Sequence, residues 1–199
     1  VDAHCRAPGV AVVALDGPHA WRDPASGRDC AGRWCERLVR AQGKTGVPGN
    51  ALPRTQLRWT RFCMEVFDAL LARPGVALAG EAPGGAAYRV MECYPTAVWR
   101  ALGVPPLPAK AKCGLMEIDA WRQRLEAATG WGIPHGLHHD DLQAVVAALP
   151  ALAFARGRGG AVPLGDPVKR ADGHRLEGWI WSLTEPANGA APEFRPALP

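Results

Sequence analysis

The apolar run Val10–Leu15, stopped abruptly by Asp16, Gly17 and Pro18, constrains the fold more than any other feature. A run this short and continuous, bounded by turn residues, reads as a strand buried on both faces, as central strands of α/β sheets are. A carboxylate at the C-terminal end of such a strand stands where open α/β sheets place their ligands. Asp-Gly is also a common turn pair, so Asp16 as a simple turn opener is the competing reading.

Helical periodicity marks residues 28–41, where Cys30, Trp34 and Leu38 recur every four residues. It marks 55–73 as well, through Leu57, Phe62, Cys63, Val66, Phe67, Leu70 and Leu71. Residues 86–94 read as a second strand, with Tyr88, Val90 and Tyr94 on one face and Glu92 near its end. Pro95 suits the first turn of a short helix that Gly103 closes. A proline-rich connector, 104–114, carries Lys110 and Lys112. A helix follows over 115–129, with Leu115, Ile118, Trp121, Leu125 and Ala128 as its stripe and Gly130 as its cap. Another is expected over 140–154, with Asp140 or Asp141 at its N-terminus and Pro150 kinking or shortening it. Asp172-Gly173 reads as a hairpin turn leading into Trp179–Trp181. Segments 17–27 and 42–53 read as loops, and 184–199 as a loose Pro/Ala-rich tail behind a single domain, 1–183.

Strands alternating with helices point to an α/β domain with a largely parallel sheet. Two strands are too few for a stable sheet, so others are expected, unrecognised or outside the chain. The chain opens on Val1 with no full element before its first strand, so the expectation is that N-terminal strands of a longer protein are missing.

With 199 residues, 48% hydrophobic and 21% charged, the chain is large and apolar enough for one core, which excludes wholesale disorder. No stretch approaches 18 apolar residues, so no membrane-spanning helix is expected, and the opening residues do not read as a signal peptide. The six cysteines form no C-x-x-C pair and fit no zinc module. Reduced, mostly buried thiols in a cytoplasm are the expectation, although an even count also admits a disulfide framework. The net charge is only +4, but four of the 23 basic residues are lysines and the other 19 are arginines. Arginine forks suit phosphate and carboxylate; a GC-rich coding bias is the plainer explanation.

Four carboxylates carry the chemical interest. Asp16 and Glu92 lie at strand ends, which converge on one edge of a parallel sheet, and Asp140 and Asp141 open a helix that can reach it. Together they could hold Mg²⁺ or Mn²⁺ for phosphodiester cleavage. Alternatively Glu92 pairs with an arginine and the aspartates cap the helix. His135, His138 and His139 could chelate a metal or supply a general acid, but Pro134 and Gly136 favour a packed loop. Gly43-Lys44-Thr45 is not a phosphate loop, since Leu38 stands where the motif needs glycine; Lys44 could still meet a phosphate. Lys110 and Lys112 are either a solvated pair or phosphate contacts. Of the eight tryptophans, Trp34 and Trp121 read as core and Trp21 as lining a cleft.

Val13-Ala-Leu-Asp16-Gly-Pro-His-Ala-Trp21, Met91-Glu-Cys-Tyr-Pro-Thr96, His139-Asp-Asp-Leu-Gln-Ala144, Asp172-Gly173 and Glu177-Gly-Trp-Ile180 follow in that order. Together, across residues 10 to 182, they resemble the DUF429 family, proteins of unknown function with an expected RNase H-like nuclease fold. The resemblance implies an RNase H-like mixed sheet: an antiparallel three-strand start, then parallel strands and flanking helices. It carries acidic roles onto Asp16, Glu92, Asp140 and Asp141, and makes Lys110 or Lys112 a site residue. Two departures stand out. No hairpin with a first aspartate precedes Val10, Asp2 having no strand-like context, and Gln143 stands where the family often has a second Asp. The leading expectation is a Mg²⁺- or Mn²⁺-dependent phosphodiester hydrolase. In it Asp16, Glu92 and Asp141 hold the metal, Asp140 assists, a lysine meets phosphate, and the substrate is nucleic acid or nucleotide. The alternatives are a non-catalytic nucleic-acid or nucleotide binding module on the same fold, and a phosphohydrolase of small molecules using the same edge.

Overall fold

A computed structural model of the chain describes residues 9–81, 86–157 and 160–184. Its central strand is β5 (Tyr88–Cys93), which runs parallel to all three of its neighbours. Strand β1 (Val12–Asp16) pairs along one edge; β4 (Val76–Leu78) pairs with residues 88–90 and β7 (His174–Leu183) with residues 92–93. Strand β6 (Ala161–Ala171) completes the sheet antiparallel to β7. The result is a mixed sheet flanked by helices, the expected fold class. A separate two-strand ribbon, β2 (Lys44–Thr45) and β3 (Ala51–Leu52), lies within the segment expected to be loop.

Helix α1 (Trp34–Leu38) precedes the ribbon, and α2 (Leu57–Leu71) follows it after the 3₁₀ turn Arg54–Gln56. Helix α3 (Pro95–Ala101) leaves β5 directly, and α4 (Leu115–Thr129) and α5 (His139–Ala155) fill the span before β6. Strand alternation sends Val13, Leu15, Tyr88 and Val90 to one face, against Phe67 and Leu70 of α2. Val12, Ala14, Met91 and Cys93 go to the other, against Ala147 and Ala151 of α5. Behind α5, Leu142, Val146 and Leu149 pack with Val98 and Trp99 of α3 and Ile118 and Leu125 of α4 to form the largest core cluster.

Local signals set several boundaries. Gly130, in the left-handed region at φ 72°, ends α4. Asp172 (φ 50°) and Gly173 (φ 74°) make the tight turn between β6 and β7, both residues left-handed as such a hairpin requires. Elsewhere packing overrides the pattern. Helix α1 is five residues long, not fourteen, and Cys30 lies outside it. Helix α5 runs through Pro150 to Ala155, because Leu149, Pro150, Ala151 and Ala153 are all buried and hold the last turn in place. Strand β6 contains Pro163 and Pro167, which hide it in the sequence; it is an edge strand with a register shift between Asp166 and Lys169, where proline is tolerated. Strand β1 is half-buried, not enclosed, since it pairs only with β5 among the described residues. Phe62 and Leu115 are exposed, not in the core.

The antiparallel three-strand start that the resemblance implies is not among the described residues. Asp2, Cys5 and residues 185–199 of the expected tail also lie outside them. The five described cysteines are free thiols, and among the described residues no helix is long and apolar enough to cross a membrane.

Gly178 on β7 has φ 104°, and a Cβ there would overlap Nε2 of the buried His19. Gly178→Ala is therefore expected to cost about 3 kcal/mol, from overpacking and left-handed backbone together. Urea unfolding measures it; a cost below about 1 kcal/mol, the ordinary penalty range for glycine exchange, would show that the site has room.

Candidate functional site

Parallel pairing sets Leu15 beside Glu92 and Asp16 beside Cys93. Neighbours in register share a face, so the two acidic side chains leave the sheet on opposite sides. Glu92 points toward the α2 side and is buried; Asp16 points toward α5 and reaches solvent.

Glu92 is fully engaged. Arg33, also buried, donates Nη1 to Oε2 at 2.8 Å and Nη2 to Oε1 at 2.6 Å. His19 adds its backbone N–H at 3.0 Å and its ring Nδ1 at 2.7 Å, both to Oε2. The carboxylate only accepts, so Nδ1 carries the hydrogen. Burial alone would raise the Glu92 pKa, but the Arg33 charge and the hydrogen bonds from Arg33 and His19 outweigh it and lower it to about 2. For His19 burial prevails over the pull of Glu92, and its pKa falls.

The same guanidinium reaches Glu36, with Nη2 donating to Oε1 at 3.1 Å. Glu36 in turn accepts the Arg33 backbone N–H at 3.1 Å and the Thr45 N–H of β2 at 2.9 and 3.0 Å. Buried Glu177 on β7 accepts the N–H groups of Asp23 at 3.0 Å and Trp34 at 3.1 Å. These bonds fold the segment after β1 back over the sheet edge.

They shape a cleft of about 220 Å³ lined by Asp16, Arg33, Glu36, Lys44, Gln56, Trp59 and Glu92, among others. Gly17 lies at its base, where a Cβ would come within 2.5 Å of Cys63 Sγ. Lys44 lines this cleft, but its ammonium donates to the Ala41 and Glu36 carbonyls. Burial, with the charges of Glu92 and Asp16, pushes the Cys63 thiol up to about 12, so it is no nucleophile.

Asp16 also lines a second cleft, about 400 Å³, with His139, Asp140, Gln143 and Ala144 of α5. Desolvation, then the charge of Glu92, raises the Asp16 pKa to about 6. Asp140 is exposed and paired with Lys110 at 2.5 Å; that hydrogen bond, then one with His139, lowers its pKa. Such a surface pair holds little energy and exchanges readily. His139 places Nδ1 3.0 Å from Asp140 and Nε2 2.9 Å from the Pro108 carbonyl.

The structure thus brings Asp16 and Asp140 to one cleft and keeps Glu92 and Asp141 out of it. Asp141 Oδ2 accepts the His138 backbone N–H at 2.9 Å, the capping role. Gln143 accepts the indole N–H of Trp99 at 3.0 Å. Lys112 is exposed and lines neither cleft. Trp21 is core: it packs with Met64 and Leu176 and bridges to β7. Trp34 is half-buried under Arg28 and Arg37, and Trp121 is half-buried beneath Arg124. His135 and His138 are exposed, and among the described residues no three His, Cys, Asp or Glu side chains are grouped closely enough to hold a metal ion between them. Sequence reading gave no role to His19, Arg33, Glu36 or Trp59; the available signals were the place of His19 in the Asp16–Trp21 motif and the three-residue spacing of Arg33 and Glu36.

The fold and this acidic strand edge define an α/β domain with open clefts at the C-terminal ends of its parallel strands. The chain belongs to the DUF429 family, described as protein of unknown function, whose model matches residues 1–168. That match ends within β6, short of the Glu177–Ile180 motif. Searches of curated proteins and of solved structures find no match.

Removing Arg33 leaves Glu36 and Glu92 buried without their counter-charge. Arg33→Ala is expected to cost about 3–5 kcal/mol, measured by urea unfolding. Because the folded pKa of Glu92 is depressed to about 2, its contribution is complete above about 4.5 and is lost as pH falls toward 2. Glu92→Gln should flatten the stability profile in that window; an unchanged profile would place the acid sensitivity elsewhere.

Proposed function

We propose that the chain is a divalent-cation-dependent phosphodiester hydrolase whose metal site is the Asp16–Asp140 cleft. The observation that carries the reading is that these two carboxylates, one from a strand end and one from a helix start, line the same space. Magnesium commonly takes one or two protein carboxylates and completes its shell with water and substrate phosphate, so the pair fits it. Glu92 does not fit, since both its oxygens are held by Arg33 and His19, and Asp141 is held by its cap. The proposed ligand set is therefore Asp16 and Asp140.

Bound there, Mg²⁺ or Mn²⁺ would supply Lewis acidity toward a phosphoryl oxygen and a lowered pKa for water. The chain's own groups do the rest. The raised pKa of Asp16 marks a carboxylate poised to exchange a proton for a cation near neutral pH. Lys110, freed from Asp140, is placed to meet a phosphate oxygen, and His139 orients Asp140 through its ring. A second reading, a phosphate-binding module without catalysis, is favoured by one observation: Gln143 holds Trp99 and adds no charge to the cleft.

Calorimetric titration with Mn²⁺ separates the assignments. Asp16→Asn and Asp140→Asn are each expected to abolish saturable binding. Asp141→Asn should retain it and lose only about 1 kcal/mol of stability through the weakened cap. No heat of binding from the folded wild type would overturn the hydrolase and leave the module.

A further inference from the structure

Helix α2 presents two stripes that the core does not use. Trp59 (48% exposed) and Phe62 (61% exposed) form one. Arg58 and Arg61, three apart on α2, form the other with Arg54 of the preceding 3₁₀ turn, and all three are exposed. None of these arginines has an acidic partner among the described residues. Between residues 54 and 62 there is no acidic residue at all. The first acids on the helix are Glu65 and Asp68, and Asp68 is already paired with Arg175.

Large exposed aromatics on a helix normally mark a contact surface. Three free guanidinium groups beside them narrow the occupant, since they complement a polyanion. The position narrows it further. Trp59 lines the smaller cleft, which Asp16 shares with Glu92 and not with Asp140, and a Cβ built on Gly17 would lie 3.6 Å from the Trp59 ring. The aromatic stripe therefore leads directly to the acidic strand edge.

We propose that this face of α2 binds a single strand of nucleic acid. Trp59 and Phe62 offer stacking faces to unpaired bases, and Arg54, Arg58 and Arg61 follow the phosphates. A duplex hides its base faces and would use the arginines alone. The proposal rests on the hydrolase reading for what happens at Asp16, but not for the binding itself. It makes α2 a platform beside the strand end where Asp16 stands between the two clefts.

The test is fluorescence anisotropy with 5′-fluorescein-labelled oligo(dT) and oligo(rU) of about 15 nucleotides and a duplex of equal length, at about 50 mM salt. The single strands are expected to bind more tightly than the duplex. Phe62→Ala and Trp59→Ala should each weaken single-strand binding about tenfold and leave duplex binding unchanged. The triple variant Arg54→Gln, Arg58→Gln, Arg61→Gln should lower the slope of log K against log salt by about 2. These side chains are exposed, and circular dichroism with thermal melting checks that each variant folds. The proposal is overturned if folded wild type binds neither single strand, or if binding is indifferent to all three changes. It is also overturned if Phe62→Ala weakens duplex and single strand alike. Asp16→Asn should keep strand binding while losing Mn²⁺. Mn²⁺ binding without strand binding therefore overturns only this surface, and the reverse overturns only the metal site.

Discussion

The buried pair of Arg33 and Glu92 is the interaction on which the strand edge depends. Its two parallel hydrogen bonds fix the guanidinium plane, and the remaining Arg33 donors reach Glu36. Through Glu36 the constraint passes to Thr45 and the β2–β3 ribbon; through His19 it passes to the turn after β1. Arg175 holds the same turn from the other side, with Nε donating to the His19 carbonyl at 2.8 Å. Two buried carboxylates share one buried guanidinium, so removing any member leaves an uncompensated buried charge. The cleft walls are built from chain segments that this cluster ties down.

Two acids of similar chemistry meet opposite fates one register position apart. Strand alternation buries Glu92 among donors, and its pKa falls to about 2; it sends Asp16 to the other face, where desolvation and the charge of Glu92 raise its pKa to about 6. Environments that push two carboxylates apart in this way divide their roles. In the proposed hydrolase, Glu92 shapes the edge and Asp16 is the carboxylate left for the cation. The α5 start shows the same division: Asp141 is spent on the backbone of His138, while Asp140 faces the cleft.

Much of the fold was legible because its signals are local. The apolar run into Asp16, the strand ending near Glu92, the bounds of α4 and the Asp172-Gly173 turn all rest on neighbouring residues. The rest depends on distant partners. Pro163 and Pro167 read as loop until β7 supplies an antiparallel neighbour and a bulge absorbs the irregularity. The pattern in 28–41 reads as a long helix until Glu177 and Glu92, over fifty residues away, take the Trp34 amide and the Arg33 guanidinium. The candidate site was legible as a set of acids but not as a division among them. The parity of β1 against β5, which parts Asp16 from Glu92, exists only once the strands are paired. Trp21 and Phe62 exchange expected places for the same reason: pairing with β7 buries the first, and the docking angle of α2 exposes the second.

In the proposed hydrolase, strand parity gives one acid to structure and the other to the ligand. A crystal of the chain soaked in Mn²⁺, with anomalous diffraction recorded at the manganese edge, tests it most directly. One anomalous peak is expected between the Asp16 and Asp140 carboxylates, with Glu92 still held by Arg33 and His19. A peak on Glu92, with Arg33 displaced from it, would contradict the account.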